Sequence, residues 1–375
     1  MLKAKSRFKN SHSECQVVPV PKSTKKLNGK FNMPVIVISF TCLILALASC
    51  GPRPADITRD QYFSTDSSVQ TGGIKIIPIK TTKGTFKVWT KRIGNNPKIK
   101  VLLLTGGPGA SHEYLECFES FFPKAGIEFI YYDQLGTGNS EVPKDTSLYN
   151  LGRSVEEVEQ VRKALNLNAN NFFLYGHSWG GIVALEYALK YQQNLKALVI
   201  SDMVSSASDY NAYAQNVLAK QIDQKALAEI RQIESRGDFT NPRYMELLMP
   251  NFYAQHICRL PEWPEPLTRS FEKLNQIFYT RMQGPSEFGL SGKLTNWERK
   301  GDLHRITIPT LTIGARYDTM DPSHMKWMAS QVKNGSYLYC PNGSHMCFYD
   351  DQQNYFQGIT RFITGISAGE QVVKL

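Results

Sequence analysis

A chain of 375 residues, 42% hydrophobic and 11% aromatic, can bury a full core in one large domain or in a domain with an insert. Its formal net charge of +10 is concentrated at the N-terminus, where residues 1–49 hold eight Lys or Arg and one Asp or Glu, leaving +3 for the rest. That remainder has no basic stripe with interleaved aromatics, which excludes nucleic-acid binding as the meaning of the charge, and the cysteines have no metal-ligand spacing.

In chain order, residues 1–33 are polar and basic, and residues 34–49 (PVIVISFTCLILALAS) are almost wholly apolar. The apolar run is shorter than the ~20 residues of a spanning helix and matches a signal-peptide core. It ends Leu47-Ala48-Ser49-Cys50-Gly51, which resembles a bacterial lipobox with Cys50 as the lipidated first residue of the mature chain. The expected organisation is therefore a lipoprotein-type signal peptide over 1–49 and a lipidated cysteine with linker over 50–72. The mature chain is expected at the bacterial cell envelope, tethered to a membrane by acyl chains. Met33 is an alternative start.

Strands are predicted at 74–80, 85–91, 99–104, 127–132, 171–175, 196–201, 308–313 and 335–340, from short runs of β-branched and aromatic residues bounded by turn residues. Helical spacing falls between the later strands, at 153–166 and 179–191, so the sheet is expected to be mostly parallel. Between 203 and 300 the alternation breaks. That stretch reads as helices (ASDYNAYAQNVLAKQ, DQKALAEIRQIESRG, NPRYMELLMPNFYAQHIC) joined by proline-rich segments such as LPEWPEP. The predicted fold is α/β, with core segments over 73–202 and 301–375 and an inserted helical cap over 203–300. Tyr253, Trp263, Phe278 and Phe288 are candidate lining residues under this cap, with core packing as the competing role of each.

The chemistry is carried by Gly176-His177-Ser178-Trp179-Gly180, placed between a buried strand and a helix. Glycines at both ends of this G-x-S-x-G permit a turn tight enough to project Ser178 Oγ at the strand end. The Trp179 N–H, at the helix start, then points where an oxyanion would form. A serine needs a histidine to take its proton and a carboxylate to orient that histidine. IPTLTIGARYD ends in a turn carrying Asp318, and GSYLYC runs into a glycine-containing loop carrying His345. The chain order Ser, acid, His is that of α/β-hydrolases. Asp321 is the fallback acid. Of the other histidines, His177 is expected to project to the far side of the turn and pack, while His112, His256, His304 and His324 lack strand-end context. The second oxyanion donor is expected from Gly106-Gly107-Pro108-Gly109, with Gly107 first and Gly106 second. Asp133, in a glycine-rich loop without dinucleotide-fingerprint spacing, is expected to hold the oxyanion loop. Cys340 and Cys347 flank His345, as a pair or as buried thiols.

Together TGGPG (105–109), YYDQLGTGNS (131–140), GHSWGG (176–181), GARYD (314–318) and GSH (343–345) resemble the proline iminopeptidase family of α/β-hydrolases. MQGPSEF (282–288) followed by Gly292-x-Leu294-x-x-Trp297 is most similar to its tricorn-interacting aminopeptidase type. The resemblance implies an α/β-hydrolase fold and a serine aminopeptidase that releases an N-terminal residue, proline or a small apolar one, from short peptides. It implies no cofactor and no metal. It also implies that Glu287 binds the substrate ammonium, a role that needs a carboxylate in a partly desolvated pocket. Two positions depart from the family pattern. Thr105 replaces a histidine before GGPG, and Thr319 replaces a second glutamate after the catalytic acid, for which Asp321 is a substitute candidate. The neutral Thr319 favours an alternative function, a serine esterase or amidase acting on uncharged acyl groups. A third reading, a lipid-anchored binding scaffold without catalysis, gives no reason for a complete Ser, Asp and His set.

Overall fold

Eight apolar runs pair into one sheet in the computed structural model, which describes residues 58–63 and 73–375. The strands are β1 (Ile74–Thr81), β2 (Gly84–Ile93), β3 (Lys100–Leu104), β4 (Glu128–Asp133), β5 (Phe172–His177), β6 (Ala197–Ser201), β7 (Pro309–Ala315) and β8 (Asn334–Cys340). Their order is β1-β2-β4-β3-β5-β6-β7-β8. β1 and β2 form an antiparallel hairpin and β2 meets β4 antiparallel, while every pair from β4 across to β8 is parallel. β4, β5 and β6 are buried along their whole length, as continuous apolar strands covered on both faces must be.

Alternation along each strand divides the core. Val101, Leu103, Phe173 and Tyr175 face a cluster that includes Phe118, Phe122 and the C-terminal helix Gln352–Ser367. Leu102, Leu104, Leu174 and Leu198 face the opposite cluster, which takes in helices Leu151–Ala164, Trp179–Tyr191 and Pro322–Gln331. A side-chain period of two sends neighbours to opposite faces, so one apolar strand serves both layers.

The chain between β6 and β7 is helical, and it belongs to the same compact unit as the sheet. Its longer helices are Ala207–Asn216, Gln224–Ser235, Pro242–Leu248, Glu265–Glu272 and Gln276–Met282. Ser206, Asp223, Asn241 and Asn275 cap four of them with side-chain oxygens that accept backbone N–H groups at the first turn. One feature differs from expectation, while the proline-rich joint lies where it was expected. The stretch predicted as one helix over 241–258 is interrupted by a π-helical turn, Met249–Tyr253, at Pro250, whose missing N–H cannot continue the α-ladder. The segment around LPEWPEP is a short joint, after which two further helices form. Within the predicted linker, Arg59–Phe63 is helical and the Tyr62 hydroxyl donates to the Ile127 carbonyl at 2.8 Å, so this part is docked against the sheet. The signal-peptide and Cys50 expectations fall outside the described residues.

Candidate active site

The turn between β5 and the helix Trp179–Tyr191 is formed by glycines that have no room for a side chain. A Cβ on Gly176 would lie 2.1 Å from the Gly180 carbonyl oxygen, and one on Gly180 would lie 2.4 Å from that of Leu104. The sharpness falls on Ser178, held at φ 54° and ψ −124°. A non-glycine residue in that region costs about 1–3 kcal/mol, supplied by the packing around it. Its N–H donates to the Ser201 carbonyl at 3.0 Å, and its own carbonyl accepts the Gly181 N–H at 2.7 Å, so both sides of the turn are tied down.

At the neighbouring strand ends, His345 Nδ1 lies 2.7 Å from Asp318 Oδ1. The Thr319 hydroxyl donates to the same oxygen at 3.3 Å. Ser178, His345 and Asp318 are 4%, 3% and 0% exposed. Burial is the largest influence on the His345 ring and disfavours its charged form. The Asp318 carboxylate, with Glu287 behind it, outweighs that effect and holds the His345 pKa above its ordinary value. A neutral His345 therefore carries its hydrogen on Nδ1 toward Asp318 and presents Nε2 as an acceptor.

Asp321 is not part of this arrangement. Its carboxylate accepts the Ser323 N–H at 2.8 Å as the N-cap of helix Pro322–Gln331, which removes it both as fallback acid and as substitute for the missing glutamate.

The oxyanion loop has one N–H already committed. Gly106 donates to the Tyr114 hydroxyl at 2.6 Å, whereas the N–H groups of Gly107 and Trp179 donate to no protein acceptor among the described residues. Gly107 sits at φ +100°, a conformation that side chains rarely adopt. Asp133 ties the start of the segment that follows this loop to the 137–140 turn, and its neighbour Gln134 is the residue that reaches the loop itself. Its Oδ1 accepts the His112 N–H at 2.8 Å, its Oδ2 accepts the Asn139 N–H at 2.8 Å, and Gln134 Nε2 donates to the Thr105 carbonyl at 3.1 Å. Thr105 itself donates to the Ala110 carbonyl at 3.1 Å, closing the loop from within.

A cavity of about 790 Å³ is bordered by Ser178, His345, Gly107 and, among the acidic residues described, by Glu287 alone. Glu287 is 8% exposed. Tyr279 donates to its Oε1 at 2.7 Å. The Tyr210 hydroxyl donates to the Glu287 carbonyl at 2.6 Å and lies 3.5 Å from Oε2. A phenol has one hydrogen, and here it is spent on the carbonyl, so Oε2 keeps its lone pairs for another donor. Burial raises the Glu287 pKa, against the stabilising effects of His345 and the Tyr279 hydrogen bond. The rest of the wall is mostly apolar or aromatic, with Tyr253, Phe271, Leu274 and Met245 contributing, and Thr240, Gln276 and Thr280 adding neutral polar groups.

Of the four predicted lining residues only Tyr253 borders the cavity. Phe288 packs on Phe252, Phe278 stacks on Tyr149, and Trp263 lies against Phe271. Tyr210 and Tyr279 were not singled out from the sequence, where nothing but closeness to Glu287 marks Tyr279. His177 also differs from expectation, because its ring turns toward the His345 loop and borders the cavity. His256, which has no strand-end context, braces both reacting loops. Its carbonyl accepts the His345 N–H at 2.9 Å, and its Nδ1 lies 2.8 Å from the Tyr317 carbonyl. At Asp202, just past β6, burial and then the charge of Asp318 raise the carboxyl pKa well above its ordinary value. Cys117, Cys258, Cys340 and Cys347 are free thiols. Among the described residues no cluster of metal-ligating side chains is found.

Comparison with known proteins decides the family. The family model for the alpha/beta hydrolase fold matches residues 100–352. A proline iminopeptidase from Flavobacterium johnsoniae is 59% identical over 292 residues, 78% of this chain and 98% of that one. The chain belongs to the proline iminopeptidase family of α/β-hydrolases. It is a serine aminopeptidase of that class. Another proline iminopeptidase, from Elizabethkingia meningoseptica, is 57% identical over 78% of this chain and 98% of its own, and one from Saccharolobus solfataricus is 37% identical over 70% and 84%. Solved structures share the α/β-hydrolase fold. VinJ superposes with a TM-score of 0.72 at 24% identity, covering 78% of this chain and 99% of that one. A proline iminopeptidase from Mycobacterium smegmatis gives 0.70 at 24%, over 79% and 99%.

Proposed function

We propose that the enzyme releases an N-terminal residue, proline or a small apolar one, from short peptides through an acyl-enzyme. Ser178 Oγ attacks the carbonyl carbon of the first residue while His345 Nε2 takes its proton. The N–H groups of Gly107 and Trp179 hold the oxyanion of the tetrahedral intermediate. His345 then gives the proton to the leaving amine, the C–N bond breaks, and water repeats the sequence on the ester. Asp318 fixes the tautomer of His345 and stabilises its charged form. The substrate ammonium is held by Glu287 Oε2.

The observation that carries this reading is the placement of Glu287. One carboxylate with an unserved oxygen borders the same apolar cavity as Ser178, which suits a substrate that is apolar apart from one cation. The test is release of p-nitroaniline from proline, alanine and N-acetylproline anilides, with Ser178→Ala as control. Turnover of the free amines alone supports an aminopeptidase. Turnover of the blocked anilide would instead favour an esterase or amidase, the reading to which the neutral Thr319 lends weight.

We propose further that Cys50 is lipidated after removal of residues 1–49, holding the enzyme at a membrane of the bacterial envelope. The support is the Leu-Ala-Ser-Cys-Gly sequence behind a short apolar run. Each buried acyl CH₂ contributes ~0.8 kcal/mol to such an anchor. Labelling of the expressed chain by an alkynyl fatty acid, abolished in Cys50→Ser, is the expected result, and labelling that survives Cys50→Ser refutes it.

A further inference from the structure

The hydrogens around His177 can be assigned one by one. Its Nε2 lies 2.9 Å from the His345 carbonyl, which has no hydrogen to give, so Nε2 carries one. The ring is buried, and that burial pushes its pKa well below the ordinary value, so it is neutral and Nδ1 is bare. Tyr114 Oη lies 3.1 Å from Nδ1 and must be the donor there. The Tyr114 oxygen is then free to accept the Gly106 N–H at 2.6 Å. The result is one directional chain, from Gly106 N–H to Tyr114, from Tyr114 to His177, and from His177 to the His345 backbone. His177 also packs its ring 4.7 Å from that of His345, and a Cβ on Gly106 would meet both Ser178 Cβ and His177 Nδ1.

We infer that His177 and Tyr114 are positioning residues that couple the oxyanion loop to the loop of the general base. The coupling rests on the proposed roles of Ser178 and His345. It commits the Gly106 N–H to the Tyr114 hydroxyl, so Gly107 and Trp179 are the pair left to meet the oxyanion. It also fixes the height of the His345 backbone relative to Ser178. Neither side chain exchanges a proton with substrate. The chain acts on geometry, and geometry acts on kcat.

The test uses the full chain and proline p-nitroanilide. Activity lost in Ser178→Ala establishes the machinery; wild-type activity that survives Ser178→Ala removes the underlying reading and the coupling with it. Tyr114→Phe and His177→Gln each break the Tyr114–His177 link, while the glutamine retains an N–H for the His345 carbonyl. Each is expected to lower kcat about 10- to 100-fold with KM within about twofold. Because both cut the same link, the double variant is expected to be no slower than the slower single. His177→Asn keeps an acceptor for Tyr114 but loses the His345 bond; it severs the same chain further along, so its loss is likewise expected not to multiply with that of Tyr114→Phe. The inference is overturned if the Tyr114→Phe and His177→Gln losses multiply. It is also overturned if KM rises at constant kcat, or if the thermal midpoint falls while kcat stands.

Discussion

Replacing Glu287 with glutamine keeps the side chain's shape and removes its charge. In the free enzyme Tyr279 serves Oε1 and the Tyr210 hydrogen is spent on the backbone, leaving Oε2 to meet a cation. Cutting one partner from a buried, hydrogen-bonded charge pair costs about 2–5 kcal/mol, because the other charge is left desolvated. The lower part of that range applies here. Burial already raises the Glu287 pKa, so some of the pairing energy is spent on keeping the carboxylate ionised. At 1.4 kcal/mol per factor of ten, a cost of about 3 kcal/mol lowers kcat/KM for proline p-nitroanilide roughly 100-fold. p-Nitrophenyl acetate offers no ammonium, and its hydrolysis is expected to stay within about threefold of wild type on the same reasoning. Steady-state kinetics with both substrates, on variants of unchanged thermal midpoint, reads the difference. Equal losses on the two substrates, or less than a threefold loss on the anilide, would refute the ammonium-binding role.

Other outcomes follow from the same geometry. The acid limb of kcat/KM for p-nitrophenyl acetate reports His345, whose pKa is raised; activity is therefore lost as pH falls through a midpoint above the ordinary histidine value. Glu287→Gln removes one of the charges that raise it, so that limb moves to lower pH, and an unmoved or upward-shifted limb contradicts the assignment. Asp318→Asn favours the wrong His345 tautomer and is expected to lower kcat about 10⁴-fold, whereas Asp321→Asn, which keeps a capping oxygen, is expected to leave it near wild type. Gly180→Ala pushes a methyl to 2.4 Å from the Leu104 carbonyl oxygen and is expected to cost about 1–3 kcal/mol of stability in urea unfolding, with Ser178 displaced and fluorophosphonate labelling slowed. Asn275→Ala removes a helix cap and the 2.7 Å bond from its amide to the Gly136 carbonyl, and is expected to cost about 1 kcal/mol of stability and to lower kcat.

What the sequence revealed and what it withheld divide along the range of the interactions. Strands such as FFLY and LTIGA are legible because a strand buried on both faces must be apolar throughout, and the serine turn is legible because Gly176 answers to a backbone collision with Gly180, four residues away within the same motif. Asp318 and His345 could be placed because each closes a strand, and strand ends in a parallel sheet converge. The environment of Glu287 was not legible. Tyr210 reaches it across 77 residues, and an isolated tyrosine in a helix looks the same whether it packs or donates. His177 packs, as its place beside the turn implies, but the direction of its ring is hidden for a related reason. Its position beside Ser178 says where its backbone lies, but its ring direction is set by Tyr114, 63 residues away, and by the His345 carbonyl, 168 residues away.

The helices between β6 and β7 show the same principle at the level of the whole site. They were expected as a cover, yet they hold the catalytic loops as firmly as the sheet does. The carbonyls of His256 and Ile257 accept the N–H groups of His345 and Met346, His256 Nδ1 lies 2.8 Å from the Tyr317 carbonyl next to Asp318, and the Asn275 N–H donates to the Gly109 carbonyl. The general-base, acid and oxyanion loops each take a bond from this helical segment. Tyr253, at the end of the π-turn, borders the cavity, and His256, three residues on, reaches those loops. A segment tied in this way cannot swing from the sheet as one rigid lid without loosening the groups that do the chemistry. Substrate entry is therefore expected through the cavity mouth lined by Phe239, Thr240 and Met245, away from these bonds, and cross-linking that region to the Gly106–Gly109 loop should slow binding, while cross-linking the His256 segment to the His345 loop should leave turnover intact.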